Sequence, residues 1–166
     1  MDQPAPSFAS ATTRTWIVTT GEQSHGELYE QRVEYAPGSP FPPLHRHPAQ
    51  RELFEIERGS MIYIVGGEER RVGVGETLEV GVAVPHQARN ASDTEIAVVR
   101  WETRPALRSQ AFYATAARLG KAGMLERALL AHEYRDVFRA SGALGVAIPV
   151  LAAVARLLGR RLPEPG

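Results

Sequence analysis

The chain has 166 residues, with 19 basic and 19 acidic side chains and so no formal net charge; it therefore lacks the electrostatic footprint of a nucleic-acid binder and has little attraction for an anionic membrane. Cysteine is absent, which excludes disulfides and thiolate metal sites and leaves nitrogen and oxygen as the only ligands for a metal. The length suits one domain, or one domain with an appendage, and a small, roughly neutral molecule is the default partner.

Residues 1–13 are rich in Pro, Ser, Ala and Thr and read as a flexible arm. They carry acid, proline and serine instead of a basic start followed by an apolar run, so no secretory signal is expected and the cytoplasm is the expected compartment. From Arg14 to Arg104 the chain changes to short runs rich in β-branched and aromatic residues: Thr15 to Thr20, Glu27 to Tyr35, Leu53 to Ile56, Met61 to Val65, Arg70 to Val74, Thr77 to Val80, His86 to Ala91 and Glu95 to Trp101. Turn chemistry separates them: Ala36-Pro37-Gly38 breaks one run and Gly66-Gly67 suits a two-residue hairpin. About eight strands at a spacing of roughly 8–12 residues favour an antiparallel β-sandwich or barrel over a parallel α/β sheet.

After Arg104-Pro105, residues 105–166 turn to alanine, leucine and arginine, and the pattern predicts about three helices. The first is capped by Ser109 and runs to Leu119, stopped by Gly120; the second spans Leu125 to Arg139 with Leu130, Tyr134, Val137 and Phe138 on one stripe. The third covers Gly145 to Arg160, with Ile148, Leu151, Ala155 and Leu158 on a stripe and Pro149 at its start or at a kink. Its apolar run is far shorter than the ~20 residues of a membrane span, so these helices are expected to dock on the barrel or on a partner subunit.

The stretch HRHPAQRELFEIERG, His45 to Gly59, carries the chemistry. On a strand, residues two apart face the same way, so His45 and His47 can converge on one ion. Glu52 has the wrong parity for an uninterrupted strand, and a bend at Pro48 would restore it. Glu52, Phe54 and Ile56 then alternate with Leu53, Glu55 and Glu57, placing one carboxylate on an apolar face. Gln50 shares that parity and is the rival ligand, although a carboxylate is the better partner for a divalent cation. His86, fixed by Pro85 at the head of a strand shared with Ala88 and Asn90, supplies a third imidazole if the two segments meet. Met61, Tyr63 and Val65 share one side of their strand and either line a pocket with Phe54 and Ile56 or belong to the core; Tyr63 alone among them has a hydroxyl suited to proton transfer. His25 reads as a surface histidine. His132-Glu133 lacks the second histidine of an HExxH zinc motif, since Asp136 stands there.

With these motifs in order, the chain resembles the cupin superfamily over roughly residues 27–104. Gly38, His45, His47, Glu52 and Gly59 follow the first cupin motif, and Gly75, Glu76, Val80, Pro85, His86 and Asn90 the second, with Gly81, Val82 and Ala83 in place of the usual turn residues. The resemblance implies a jelly-roll barrel, often dimeric, with one divalent metal ion (Fe, Mn, Ni, Co or Zn) bound by His45, His47, Glu52 and His86. Three imidazoles and one carboxylate leave two positions of an octahedral shell open. The expected function is a metal-dependent oxygenase-type reaction on an apolar or aromatic small molecule, with Glu52 and Tyr63 as catalytic groups and Gln50, Phe54, Ile56, Met61 and Tyr63 around the substrate. The alternatives are an isomerase or cyclase working without oxygen, and a non-catalytic binding module.

Overall fold

The structure, a computed structural model, describes residues 4–164. Eleven strands and three helices follow one another among these residues: β1 (Phe8–Ala9), β2 (Thr13–Thr19), β3 (Tyr29–Tyr35), β4 (His45–Arg46), β5 (Arg51–Arg58), β6 (Ser60–Val65), β7 (Glu68–Gly73), β8 (Thr77–Val80), β9 (His86–Asn90), β10 (Ala97–Arg104), α1 (Ser109–Leu119), α2 (Met124–Glu133), β11 (Arg139–Ala140) and α3 (Gly142–Leu157). They form two antiparallel sheets, ordered β1-β2-β3-β10-β5-β8 and β11-β4-β9-β6-β7. This is the β-sandwich with C-terminal helices that the strand spacing and the cupin resemblance led us to expect.

Alternation dictates the inner layer. On β5, Glu52, Phe54 and Ile56 are buried while Leu53 is 37 % exposed, and on β6 Met61 and Tyr63 face the same interior. Phe54, Ile56, Met61 and Tyr63 pack with Val72, Leu78, Val80, Ala97 and Val99 in one cluster. Gly59 makes the β5–β6 turn at φ 71°, and a Cβ there would stand 2.7 Å from the Ile96 carbonyl oxygen, so only glycine fits. At the end of β9 the fully buried Asn90 donates to the carbonyls of Tyr35, Ala36 and Glu95, tying the end of β3 and the β9–β10 connection to one side chain.

Several elements differ from the sequence expectation. Within the stretch read as a flexible arm, Phe8 and Ala9 pair with Thr15 and Arg14 of β2; residues 1–3 lie outside the described residues. Ser109 does not cap α1: Arg108 is the N-cap residue, and the Ser109 hydroxyl instead accepts a hydrogen bond from Gln50 Nε2 at 2.8 Å. The second helix stops at Glu133, six residues before its expected end at Arg139. Val137 still joins Leu130, Tyr134 and Phe112, with Phe138 beside them, because after α2 the chain turns back and its next residues, Arg139 and Ala140, pair with Arg46 and His45. The helical extension thus contributes an edge strand to the barrel. The third helix runs from Gly142 to Leu157 with Pro149 inside it. Its buried residues are Ala152 and Ala155, whereas Leu158 lies past the helix end and is 62 % exposed.

Candidate metal centre

The parity problem between His47 and Glu52 is solved by a change of sheet. β4 belongs to one sheet and β5 to the other, and a bend at Pro48 and Ala49 carries the chain between them, so the histidines and the carboxylate meet across the barrel. His86 stands directly opposite His45 in the β4–β9 pairing. Ring nitrogens of His45, His47 and His86 lie within 4.8 Å of one another. Glu52 touches two of these rings, with Oε1 3.2 Å from His47 Nε2 and Oε2 2.9 Å from His86 Nε2. All four side chains are buried.

Each imidazole is oriented by a backbone carbonyl. The Nδ1 atoms of His45, His47 and His86 contact the carbonyl oxygens of Pro43 at 2.9 Å, Val137 at 2.6 Å and Val84 at 3.0 Å. A carbonyl can only accept, so each Nδ1 carries the proton and each Nε2 keeps its lone pair. Three lone pairs and one carboxylate then crowd a buried volume. His47 Nε2 and Glu52 Oε2 are both buried without a properly formed hydrogen bond. Unpaired buried acceptors of this kind are costly, and a positive charge among them relieves the conflict. The arrangement therefore fits a divalent cation with three nitrogen ligands and one oxygen ligand.

The local field acts differently on the rings, and protons compete with a cation for the His86 position. Burial first, and then the neighbouring His86 and His47 rings, push His45 down to about 3, so that it stays neutral. Burial works against ionisation of Glu52, but the attraction of His47 and His86 prevails and holds its carboxyl below the usual range. Burial likewise opposes a charge on His86, yet its contact with Glu52 raises its pKa above the ordinary histidine value.

Other expected residues fall into two groups. Tyr63, Phe54, Ile56 and Met61 form the packed interior of the barrel, where the Tyr63 hydroxyl is buried with no partner. Burial, with Tyr35 and Glu52 nearby, raises the Tyr63 pKa well above its usual value, so the hydroxyl keeps its proton. Gln50 is turned toward the helical extension, its Nε2 lying 2.8 Å from the Pro105 carbonyl, 3.2 Å from that of Ala106 and 2.8 Å from Ser109 Oγ. Glu52, not Gln50, is the residue that touches the imidazoles.

Three contributors were not foreseen. Trp101, whose orientation alternation alone could not assign, points inward and donates its indole N–H to Glu52 Oε1 at 3.1 Å. Arg100 on the opposite face pairs with Glu30, Glu55 and Glu102. Phe138 stacks on His45 with ring centroids 4.7 Å apart and meets His47 edge-on at 6.5 Å. Val137 supplies the carbonyl that orients His47. The apolar stripe through Val137 and Phe138 was the only sequence signal for the last two.

Residues 31–101 match the family profile described as Cupin domain. Among solved structures, a predicted oxalate decarboxylase from Thermotoga maritima is similar with a TM-score of 0.55 at 18% identity, covering 61% of this chain and 92% of that one. A cupin-like protein from the same organism has a TM-score of 0.53 at 19% identity, with 64% and 81% covered. Ectoine synthase from P. lautus gives 0.50 at 14% identity, with 58% and 67% covered. At these identities the likeness is one of fold. No curated protein matches the chain.

Proposed function

Taking the barrel of this chain as a cupin domain, we propose that it houses a metal-dependent enzyme in which His45, His47, His86 and Glu52 hold one divalent ion beside a site for an apolar or aromatic small molecule. The observation that carries this reading is the set of three Nδ1-anchored imidazoles whose Nε2 atoms share a buried volume with one ionised carboxylate. When bound, a divalent ion supplies a Lewis acid for the substrate and, if it is iron, a place for dioxygen.

The chain's own residues define the rest of the chemistry. Glu52 is held in place by the Trp101 N–H. Behind Trp101 the ring of Phe54 packs against both Trp101 and Tyr63, with centroids 5.1 Å apart in each pair, an aromatic surrounding that suits a substrate with an apolar or aromatic body and few charges. Phe138 shields His45 and thereby limits water at the centre. We favour an oxygenase-type reaction, because the site combines three Nδ1-anchored imidazoles with an apolar enclosure. A second reading, isomerisation or cyclisation without oxygen, is favoured by one feature: the Tyr63 hydroxyl is buried, protonated and unpartnered, and in that reaction it would give a proton to an enolate.

Metal analysis of the purified protein, followed by oxygen-uptake assays with phenols and diketones, tests the proposal. Consumption of one substrate coupled to oxygen uptake supports the oxygenase. Turnover of the same rate under anaerobic conditions would overturn it in favour of the isomerase or cyclase.

A further inference from the structure

Behind the ladder that carries His45, a cavity of about 600 Å³ opens between the barrel edge and the helical extension. Arg46, His132, Arg135 and Arg139 line it together with Ser141 and Gly142 at the start of α3, and no carboxylate lines it among the described residues. Arg46 and Arg139 are direct partners in the β4–β11 pairing. Like charges set opposite each other across an antiparallel pair destabilise it, so this edge strand is held in a charge conflict.

Nothing among the described residues resolves the conflict. None of the three arginines forms an ion pair among the described residues. The nearby acids Glu133 and Asp136 are taken by Arg108. Arg135 and Arg139 each donate only to a backbone carbonyl, of His132 and Arg135 respectively, which leaves most of their donors free. The local potential is positive: burial, then the guanidinium groups of Arg156 and Arg135, push His132 below its ordinary pKa. Ser141, the N-cap residue of α3, makes no capping bond, and its hydroxyl is buried without a partner.

We propose that this cavity binds an oxyanion, specifically the phosphate group of a small molecule, at a site separate from the histidine cluster. Guanidinium forks match phosphate oxygens in pairs, and a dianion between Arg46 and Arg139 converts their repulsion into a bridge. The volume exceeds what a bare phosphate fills and lies in the range of small-molecule sites. Because β11 follows directly on Val137 and Phe138, the bridge also pins the segment that orients His47 and covers His45.

Calorimetric titration of the metal-loaded protein at fixed ionic strength, with inorganic phosphate and with glycerol 3-phosphate as probes, tests the site. The expected result is saturable binding of one equivalent, weakened at least tenfold in Arg46→Ala and in Arg139→Gln and unchanged in Arg70→Ala, whose side chain is exposed and paired with Glu68. Tighter binding of glycerol 3-phosphate assigns a phosphate ester as the ligand, and tighter binding of inorganic phosphate assigns the free ion; either supports the site. Circular dichroism and metal content checked on each variant keep a folding defect apart from a binding defect. Absence of saturable binding would overturn the proposal. So would affinity that survives both arginine variants, or that disappears instead in His86→Ala, since the anion would then sit at the metal position.

Discussion

The carbonyl oxygen of Val137 lies 2.6 Å from Nδ1 of His47, a hydrogen bond across 90 residues of sequence. It makes the helical extension part of the candidate metal centre, because this contact fixes which nitrogen of His47 is left to face Glu52. Phe138, the next residue, lies flat on His45 and on Phe112 with ring centroids 4.7 and 5.3 Å away. The extension is therefore a wall of the site, and its perturbation should be felt at the metal.

Phe138→Ala removes that wall. Phe138 is only partly buried, so the expected loss of stability is about 2–3 kcal/mol, below the ~3–5 kcal/mol of a fully buried phenylalanine. Metal release to a chelator should accelerate, because His45 becomes open to water. Chemical denaturation and stopped-flow chelation measure the two effects; an unchanged release rate would show that the extension does not guard the centre.

Trp101→Phe keeps a ring in the barrel but deletes the N–H that holds Glu52 Oε1. Partners of this kind behind a metal ligand typically account for about 10–100-fold in affinity or activity. A competition titration should show metal affinity reduced by that order with the fold intact. Wild-type affinity would mean that the carboxylate is oriented by the metal alone.

Tyr63→Phe should separate stability from function. The hydroxyl is buried and unpartnered, so its removal is expected to leave stability unchanged or raise it by about 1 kcal/mol. Turnover should fall about 10²-fold or more if that hydroxyl is the proton donor. A stabilised variant with full activity would remove Tyr63 from the catalytic set.

Acid should strip the metal. Ligation needs neutral imidazoles, so protons and metal compete. His45 stays neutral down to about 3, whereas His86, raised by its contact with Glu52, takes the competing proton. Its raised value means that affinity begins to fall with decreasing pH already above the ~6.5 of an ordinary histidine, by about a factor of ten per pH unit for one proton. Metal-binding titrations between pH 5 and 8 measure the slope, and a flat profile would exclude His86 as a ligand.

How far the sequence carried this picture depends on how local each signal is. Alternation on β5 and β6 marked Glu52, Phe54, Ile56, Met61 and Tyr63 as one inner face, and the paired motifs brought His86 to His45 and His47. Each of those signals is carried by one short stretch of sequence. The extension was legible as helices but not as a strand, because β11 has two residues and is defined by its pairing with β4, not by any pattern of its own. Ser109 looked like a cap because its type favours that role, yet Gln50 claims its hydroxyl from 59 residues away. The Val137 contact uses a backbone oxygen, for which no side-chain identity gives a signal. Trp101 and Arg100 alternate on β10, and the Glu30, Glu55 and Glu102 carboxylates that hold Arg100 on the outer face decide which of the two points inward.

Elemental analysis of the purified protein beside His47→Ala and His86→Ala decides whether three imidazoles and Glu52 hold one ion. The expected result is about one equivalent of divalent metal in the wild type and almost none in either variant, with circular dichroism showing that the barrel persists. Stoichiometric metal retained in either variant would contradict it.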